Sequence, residues 1–275
     1  MDYSKLKTIS LEEKKQIMVA LLQDIDAFCR EKNITYFLYA GTLLGAVRHQ
    51  GFIPWDDDID ILMPREDYER LLREYIPANE HYKLYCAEKM PGYIYAFAKL
   101  CDERTWLVEE LDTDQPLGVN IDIFPLDNAG ETFEQAAALG KRIKRYRKIL
   151  DLKTTAVSKD RSWAKNAALR IIKAILTPAS PRWLVGKMIR LSKAYRGKNS
   201  LFAAEYAVMA YGNRDIFPKK CFESVCELPF EGKKYYAPTE YNEILSITYG
   251  DYMKLPPVEK RVTHHLNNVY WKEQV

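Results

Sequence analysis

The chain has 275 residues, 47% hydrophobic and 12% aromatic, enough for one large core, and with only 12 glycines and 13 prolines it is neither collagen-like nor low-complexity. Net charge is only +3, but Lys141 to Lys198 holds 18 lysines and arginines against two acids, Asp151 and Asp160: a net +16 over 58 residues, with −13 on the remainder. Five cysteines, an odd number with no CxxC pair, argue against a disulfide framework or a cysteine zinc site; with no secretory-signal pattern and no apolar run of roughly 20 residues, a cytoplasmic protein is expected.

Apolar residues at helical spacing (Leu11, Ile17, Leu21, Ile25, Phe28) predict a helix from Ser10 to Asn33, with Ser10 and Glu13 forming a capping box. "ITYFLY" (34–39) is a β-branched and aromatic run suited to a strand, broken at Gly41 before a short helical stretch, "TLLGAVRHQ". "DIDILM" alternates charge and aliphatic at strand spacing, and Pro64 opens a helix where proline is best tolerated. "HYKLYCAE", "YIYAFAKLCD" and "GVNIDIFPLD" read as three more strands. Helices follow over 131–152, 162–176 and 181–195, and the remainder mixes short strands with a helix near 240–249. Intermixed strands and helices make the expected class α+β with a small mixed sheet.

Four aspartates, Asp56, Asp57, Asp58 and Asp60, crowd five positions. In a strand Asp58 and Asp60 share a face, and two adjacent carboxylates are commonly relieved by a hard divalent cation. Asp122, between Ile121 and Ile123, repeats the pattern, so Asp58, Asp60 and Asp122 are the expected Mg²⁺ ligands, with Mn²⁺ as the alternative metal. Asp56 and Asp57 are expected to shape the turn or support the ligands. An EF-hand would need Gly and Glu where the chain has Ile61 and Asp67. The D-x-D of sugar-nucleotide glycosyltransferases stays open on the aspartates alone. Gly41 and Thr42 start a helix after a strand, where free N–H groups and the dipole attract phosphate. Gly-Thr, then D-x-D in a strand, then a distal strand aspartate is the layout of a nucleotidyltransferase fold.

"GTLLGAVRHQGFIPWDDDIDI", with "AKLCDERT", "IDIFPLD" and "YGDYMKLPP", resembles the LicD family over most of the chain. The resemblance implies a nucleotidyltransferase fold and transfer of phosphocholine from CDP-choline, or another CDP-alcohol, to a surface glycan such as teichoic acid or lipopolysaccharide, or to its lipid-linked precursor. Fukutin-type relatives transfer ribitol phosphate. On that reading Asp58 and Asp60 hold Mg²⁺ on the diphosphate, and Asp122 completes the metal site or acts as base.

Beside this centre Arg48 is expected on phosphate, whereas His49 reads equally as a surface histidine. Lys99, flanked by Ala98 and Leu100, needs a partner and is either a phosphate ligand or ion-paired. Asp127 is expected to cap the following turn. Trp55, Tyr93, Tyr95 and Trp106 could box a quaternary ammonium, although strand aromatics are more often core. His264 and His265 lack metal partners at suitable spacing.

The helix over 163–176 groups Asn166, Arg170 and Lys173 on a narrow polar side, opposite Trp163, Ala167, Ile171 and Ile175. One reading packs the broad apolar face on the core and leaves the lysines in water; the other attracts the basic segment to anionic lipid or a lipid-linked acceptor. Nucleic acid is not expected, because no aromatic-interleaved motif accompanies the charge. The expected organisation is a nucleotidyltransferase-like catalytic core over 1–130, a basic helical lobe inserted over 131–200, and a part over 201–275 completing the first domain.

Overall fold

The computed structural model describes residues 5–108, 117–157, 162–261 and 268–272. The capping box at Ser10 and Glu13 forms and starts α1 (Leu11–Lys32), which ends on Asn33 in the left-handed region. Its buried stripe is Met18, Leu21, Leu22, Ile25 and Cys29; Leu11, expected to belong to the stripe, is exposed. That face packs on the sheet.

The sheet begins with β1 (Phe37–Leu38), shorter than expected, followed by α2 (Ala40–His49), β2 (Asp60–Pro64), α3 (Arg65–Glu74), β3 (Tyr82–Tyr85), β4 (Ala98–Asp102), β5 (Thr105–Val108) and β6 (Asn120–Gly130). Strand order is β1-β2-β6-β4-β3. β6 runs parallel to β2 and antiparallel to β4, with Asp60 opposite Asp122 and Lys99 also opposite Asp122. Beyond β4 the same edge of β6 pairs with β7 (Phe202–Glu205), which carries β8 (Ile216–Pro218). Pro125, with no N–H to give a ladder, falls where the partner changes from β4, last at Ile123, to β7, first at Leu126.

Between β6 and β7 the chain makes α4 (Phe133–Thr154), α5 (Trp163–Ile175) and α6 (Pro181–Ser192). It leaves at Gly130 and returns beside it, Leu201 N donating to Gly130 O (3.0 Å). Ile143 and Leu150 of α4, with Leu184, Val185 and Met188 of α6, join the same hydrophobic core as the sheet. β9 (Val225–Phe230) and β10 (Lys233–Pro238) form a hairpin whose tip meets the end of α2, where Glu231 accepts from Phe52 N (3.0 Å). α7 (Tyr241–Tyr249) also packs on α2, and β11 (Asn268–Trp271) pairs with β5. The architecture is mixed α+β.

Candidate functional site

Because paired residues in neighbouring strands share a face, the register of β2, β6 and β4 lines up Asp60, Asp122 and Lys99 in one row. Lys99 Nζ lies 2.6 Å from Asp122 Oδ1 and 3.1 Å from Asn120 Oδ1, and stands over the rings of Tyr95 and Phe97. Of the two readings of Lys99, the structure shows the ion pair. Asp58 lies two residues before β2 rather than inside it, a correction to its expected strand position. Asp58 and Asp60 nevertheless line one cleft of about 520 Å³.

The four clustered aspartates divide differently from the expectation. Asp57 is scaffold: it is 1% exposed and paired to Lys14 Nζ at 2.7 Å. Asp56, by contrast, lines the cleft with Asp58 and Asp60. Gly41 explains its seat, since a Cβ there would stand 2.4 Å from Asp56 Oδ2. The preceding Ala40 has φ 45°, left-handed backbone that costs an alanine about 1 kcal/mol and stores strain at the strand-to-helix corner. Thr42 is buried beneath the cleft, its hydroxyl oxygen accepting Asp60 N–H at 2.9 Å, so it braces the carboxylate strand.

Burial and the neighbouring Asp58, which it hydrogen-bonds, push Asp56 up to about 7. Burial, then Asp58, Asp122 and Asp56, raises Asp60 well above the carboxylate range, with Lys99 opposing. Carboxylates crowded in a low dielectric resist joint ionisation unless a cation joins them. Asp56, Asp58 and Asp60 are hard oxygen donors of the kind a divalent ion takes. Among the described residues no three His, Cys, Asp or Glu side chains already form a coordinating group, so a bound cation would have to draw them together. Asp122, unlike Asp58 and Asp60, does not line the cleft and has Lys99 on its Oδ1.

Arg48 lines the cleft, where Nη1 donates to Tyr252 O (2.7 Å) and burial lowers its pKa. His49 is lowered by burial and by Arg48, and is not among the cleft-lining residues. The four aromatics do not assemble into a box, in line with the alternative that strand aromatics belong to the core. Tyr93 and Tyr95 pack together beside a small separate core, and Trp106 lies under Lys272. Trp55 alone of that set faces the cleft, in company with Tyr211, Tyr249 and Tyr252. Asp127 caps no turn: buried in β6, it takes a bidentate pair from Arg65 at 2.7 and 2.6 Å, which ties α3 to the sheet. His264 and His265 lie outside the described residues.

A second acidic pair, Glu205 and Asp215, also lines the cleft. Glu205 accepts N–H groups from Ala207 (2.5 Å), Val208 (2.9 Å) and Met209 (2.8 Å), and Asp215 accepts from Tyr39 OH (3.0 Å) and Tyr211 N (2.7 Å). Burial pushes Glu205 up to about 7 and Asp215 up to about 6. Their oxygens are engaged in folding the 205–215 wall, so they anchor the cleft. Glu205, not among the expected site residues, carries a sequence signal all the same, a lone acid in the apolar run "LFAAEYAVMA", the pattern that also marks Asp122. Asp215 carried none.

The family model described as "LicD/FKTN/FKRP, nucleotidyltransferase domain" matches residues 33–191, more than half of the chain. The chain belongs to the LicD family. It is 32% identical over 272 residues to the lipopolysaccharide cholinephosphotransferase LicD of Haemophilus influenzae, covering 96% of this chain and 99% of that protein. Shorter matches, 37% identical over 95 residues (31% of each chain) and 42% over 77 residues (28% of this chain, 29% of the relative), join it to uncharacterised proteins of Rickettsia typhi and Rickettsia prowazekii. The LicD domain match contains Lys99, Asp122 and the cleft residues Gly41, Asp56, Asp58 and Asp60, whereas Glu205, Asp215, Tyr249 and Tyr252 of the cleft lie beyond it.

Proposed function

We propose that the protein transfers phosphocholine, or a related alcohol phosphate, from a CDP-alcohol to a hydroxyl of a cell-surface glycan or its lipid-linked precursor, releasing CMP. The observation that carries this reading is the convergence of Asp56, Asp58 and Asp60 on one cleft at the start of α2. The H. influenzae relative, a lipopolysaccharide cholinephosphotransferase matched over nearly its whole length, supports the transferred group and the kind of acceptor. The strand arrangement and the name of the matching domain support a nucleotidyltransferase-like core, with 131–200 as a basic helical insertion.

A divalent cation, Mg²⁺ or Mn²⁺, would neutralise charge on the donor diphosphate. Asp58 and Asp60, joined by Asp56, would hold it, in place of the expected set with Asp122. Gly41 keeps room for Asp56 to join them, and Thr42 fixes the strand that carries Asp60. Arg48, aimed into the cleft, offers its guanidinium to a phosphate oxygen. The acceptor oxygen forms a bond to the phosphorus bearing the alcohol, the bond from that phosphorus to the bridging oxygen breaks, and CMP leaves with the electron pair. Asp122, beside Asp60 and tethered by Lys99, takes the hydroxyl proton. Tyr211, Tyr249 and Trp55 supply aromatic faces for a quaternary ammonium.

Thermal shift and CMP release test the reading together. CDP-choline should raise the melting temperature only with divalent cation present; Asp60→Asn should lose both stabilisation and turnover, and Asp122→Asn turnover alone. Stabilisation by UDP- or GDP-sugars, with none by CDP-choline, would replace this reading with a glycosyltransferase.

A further inference from the structure

A surface helix on a globular core turns its wide apolar side inward. α5 does the reverse. Leu169 is its one buried residue, with Asn166, Ile172 and Lys173 half-buried beside it, whereas Trp163 is 83%, Ile171 62% and Ile175 71% exposed. With Ala164, Ala168 and Ala174 these residues cover roughly 140° of the circumference at 3.6 residues per turn, an arc without a polar side chain. Exposed Arg170 borders one edge and exposed Lys165 the other. On α6, Trp183 is half exposed, with Lys187 over its ring.

Charge decides what covers this face. The segment from Lys141 to Lys198 carries +16, so a second copy would bring like charge against like, while an anionic lipid surface brings the complement. Apolar residues with a tryptophan, rimmed by cations whose aliphatic stems reach along the surface, match the layer between headgroups and acyl chains. At 13 residues α5 is about 20 Å long, too short to cross a hydrocarbon core of about 30 Å, and no helix among the described residues is long and apolar enough to do so.

We propose that α5 docks the protein in the plane of an anionic bilayer. Trp163, Ile171 and Ile175 enter the acyl boundary, Lys165 and Arg170 meet headgroup phosphates, and the remaining cations of the segment supply longer-range attraction. α4, on which α5 packs, also braces the cleft wall, because Arg147 donates to Ala207 O at 2.9 Å. On the function proposed above, which this clause alone rests on, docking holds the cleft close to a lipid-linked acceptor.

Co-sedimentation of the full chain with vesicles of phosphatidylcholine, with and without phosphatidylglycerol, tests the docking. Binding should require the anionic lipid and weaken as salt rises from about 0.1 M to about 1 M, where the screening length falls from about 10 Å to about 3 Å. Ile171→Ser/Ile175→Ser, on exposed positions, should weaken binding at least about tenfold while leaving the melting temperature and metal-dependent stabilisation by CDP-choline unchanged. Lys165→Glu/Arg170→Glu should weaken it by a similar factor. Serine variants that bind like the wild type, or equal binding to neutral vesicles, would overturn the proposal. So would a wild-type dimer in light scattering that the serine pair converts to monomer. Because vesicle binding needs no catalysis, its failure is distinct from failure of the transfer reaction.

Discussion

At the scale of single residues, Gly41 sets the composition of the site. Its missing Cβ makes space for the Asp56 carboxylate, so Gly41→Ala should push Asp56 out of the cleft. Alanine favours a helix over glycine by up to about 1 kcal/mol, so the fold should hold. The expected result is a melting temperature near that of the wild type, with metal-dependent stabilisation by CDP-choline reduced at least about tenfold in ligand concentration, about 1.4 kcal/mol of binding. A variant stabilised by donor as well as the wild type would remove Asp56 from the ligand set. Asp60, Asp122 and Lys99 stood out as single residues because ionic side chains inside apolar runs are costly unless something repays them, whereas Asp58, before β2, stood out by its spacing from Asp60. The division between Asp56 and Asp57 was not legible, since it depends on Lys14, 43 residues before Asp57, reaching back to claim that carboxylate.

Between elements, two devices lend themselves to measurement. Arg65 and Asp127 are both nearly inaccessible and join the start of α3 to β6, with Ser192 of α6 accepting a further bond from Arg65. Arg65→Met leaves a buried carboxylate without its partner and should cost about 3–5 kcal/mol in urea unfolding, most of it recovered in Arg65→Met/Asp127→Leu. Glu205, at the end of β7, gives the pH dependence. Its carboxyl rises from 4.5 unfolded to about 7 folded, chiefly through burial, so the folded chain holds the proton more tightly. Folding therefore takes up a proton between those values, and stability is lost as pH rises through that window. Asp215, raised to about 6, acts in the same direction, so the informative quantity is the difference between proteins. Glu205→Gln should show a smaller fall in melting temperature from about pH 5 to about pH 8 than the wild type. An equal fall would mean that Glu205 releases its proton within the same range folded and unfolded.

At the scale of the molecule, α4 and α6, between β6 and β7, are topologically an excursion yet energetically part of the core, whereas α5 contributes nothing to it. Ala136, Leu139 and Ile143 of α4 lie in the same continuous cluster as the sheet, and Tyr206 donates to Ala136 O (3.0 Å). A chain with 133–195 replaced by a short linker should therefore lose soluble expression or cooperative unfolding, whereas an independent lobe would leave a core that still binds donor with metal. The α+β class, the helices and most strands in their order, the charged segment and the strand aspartates Asp60 and Asp122 were determined by sequence alone, because local periodicity, capping and isolated charges in apolar runs are short-range signals; β5 was not expected as a strand. Only the tertiary structure decided that β5 and β11 pair, since one lies more than 150 residues from the other. It also decided that Glu205 and Asp215 wall the cleft, that Lys99 holds Asp122, and that α5 turns its apolar side to solvent. Each of these depends on what a distant segment places opposite a residue, and a pattern along one chain carries the amphipathicity of a helix but not the direction it faces.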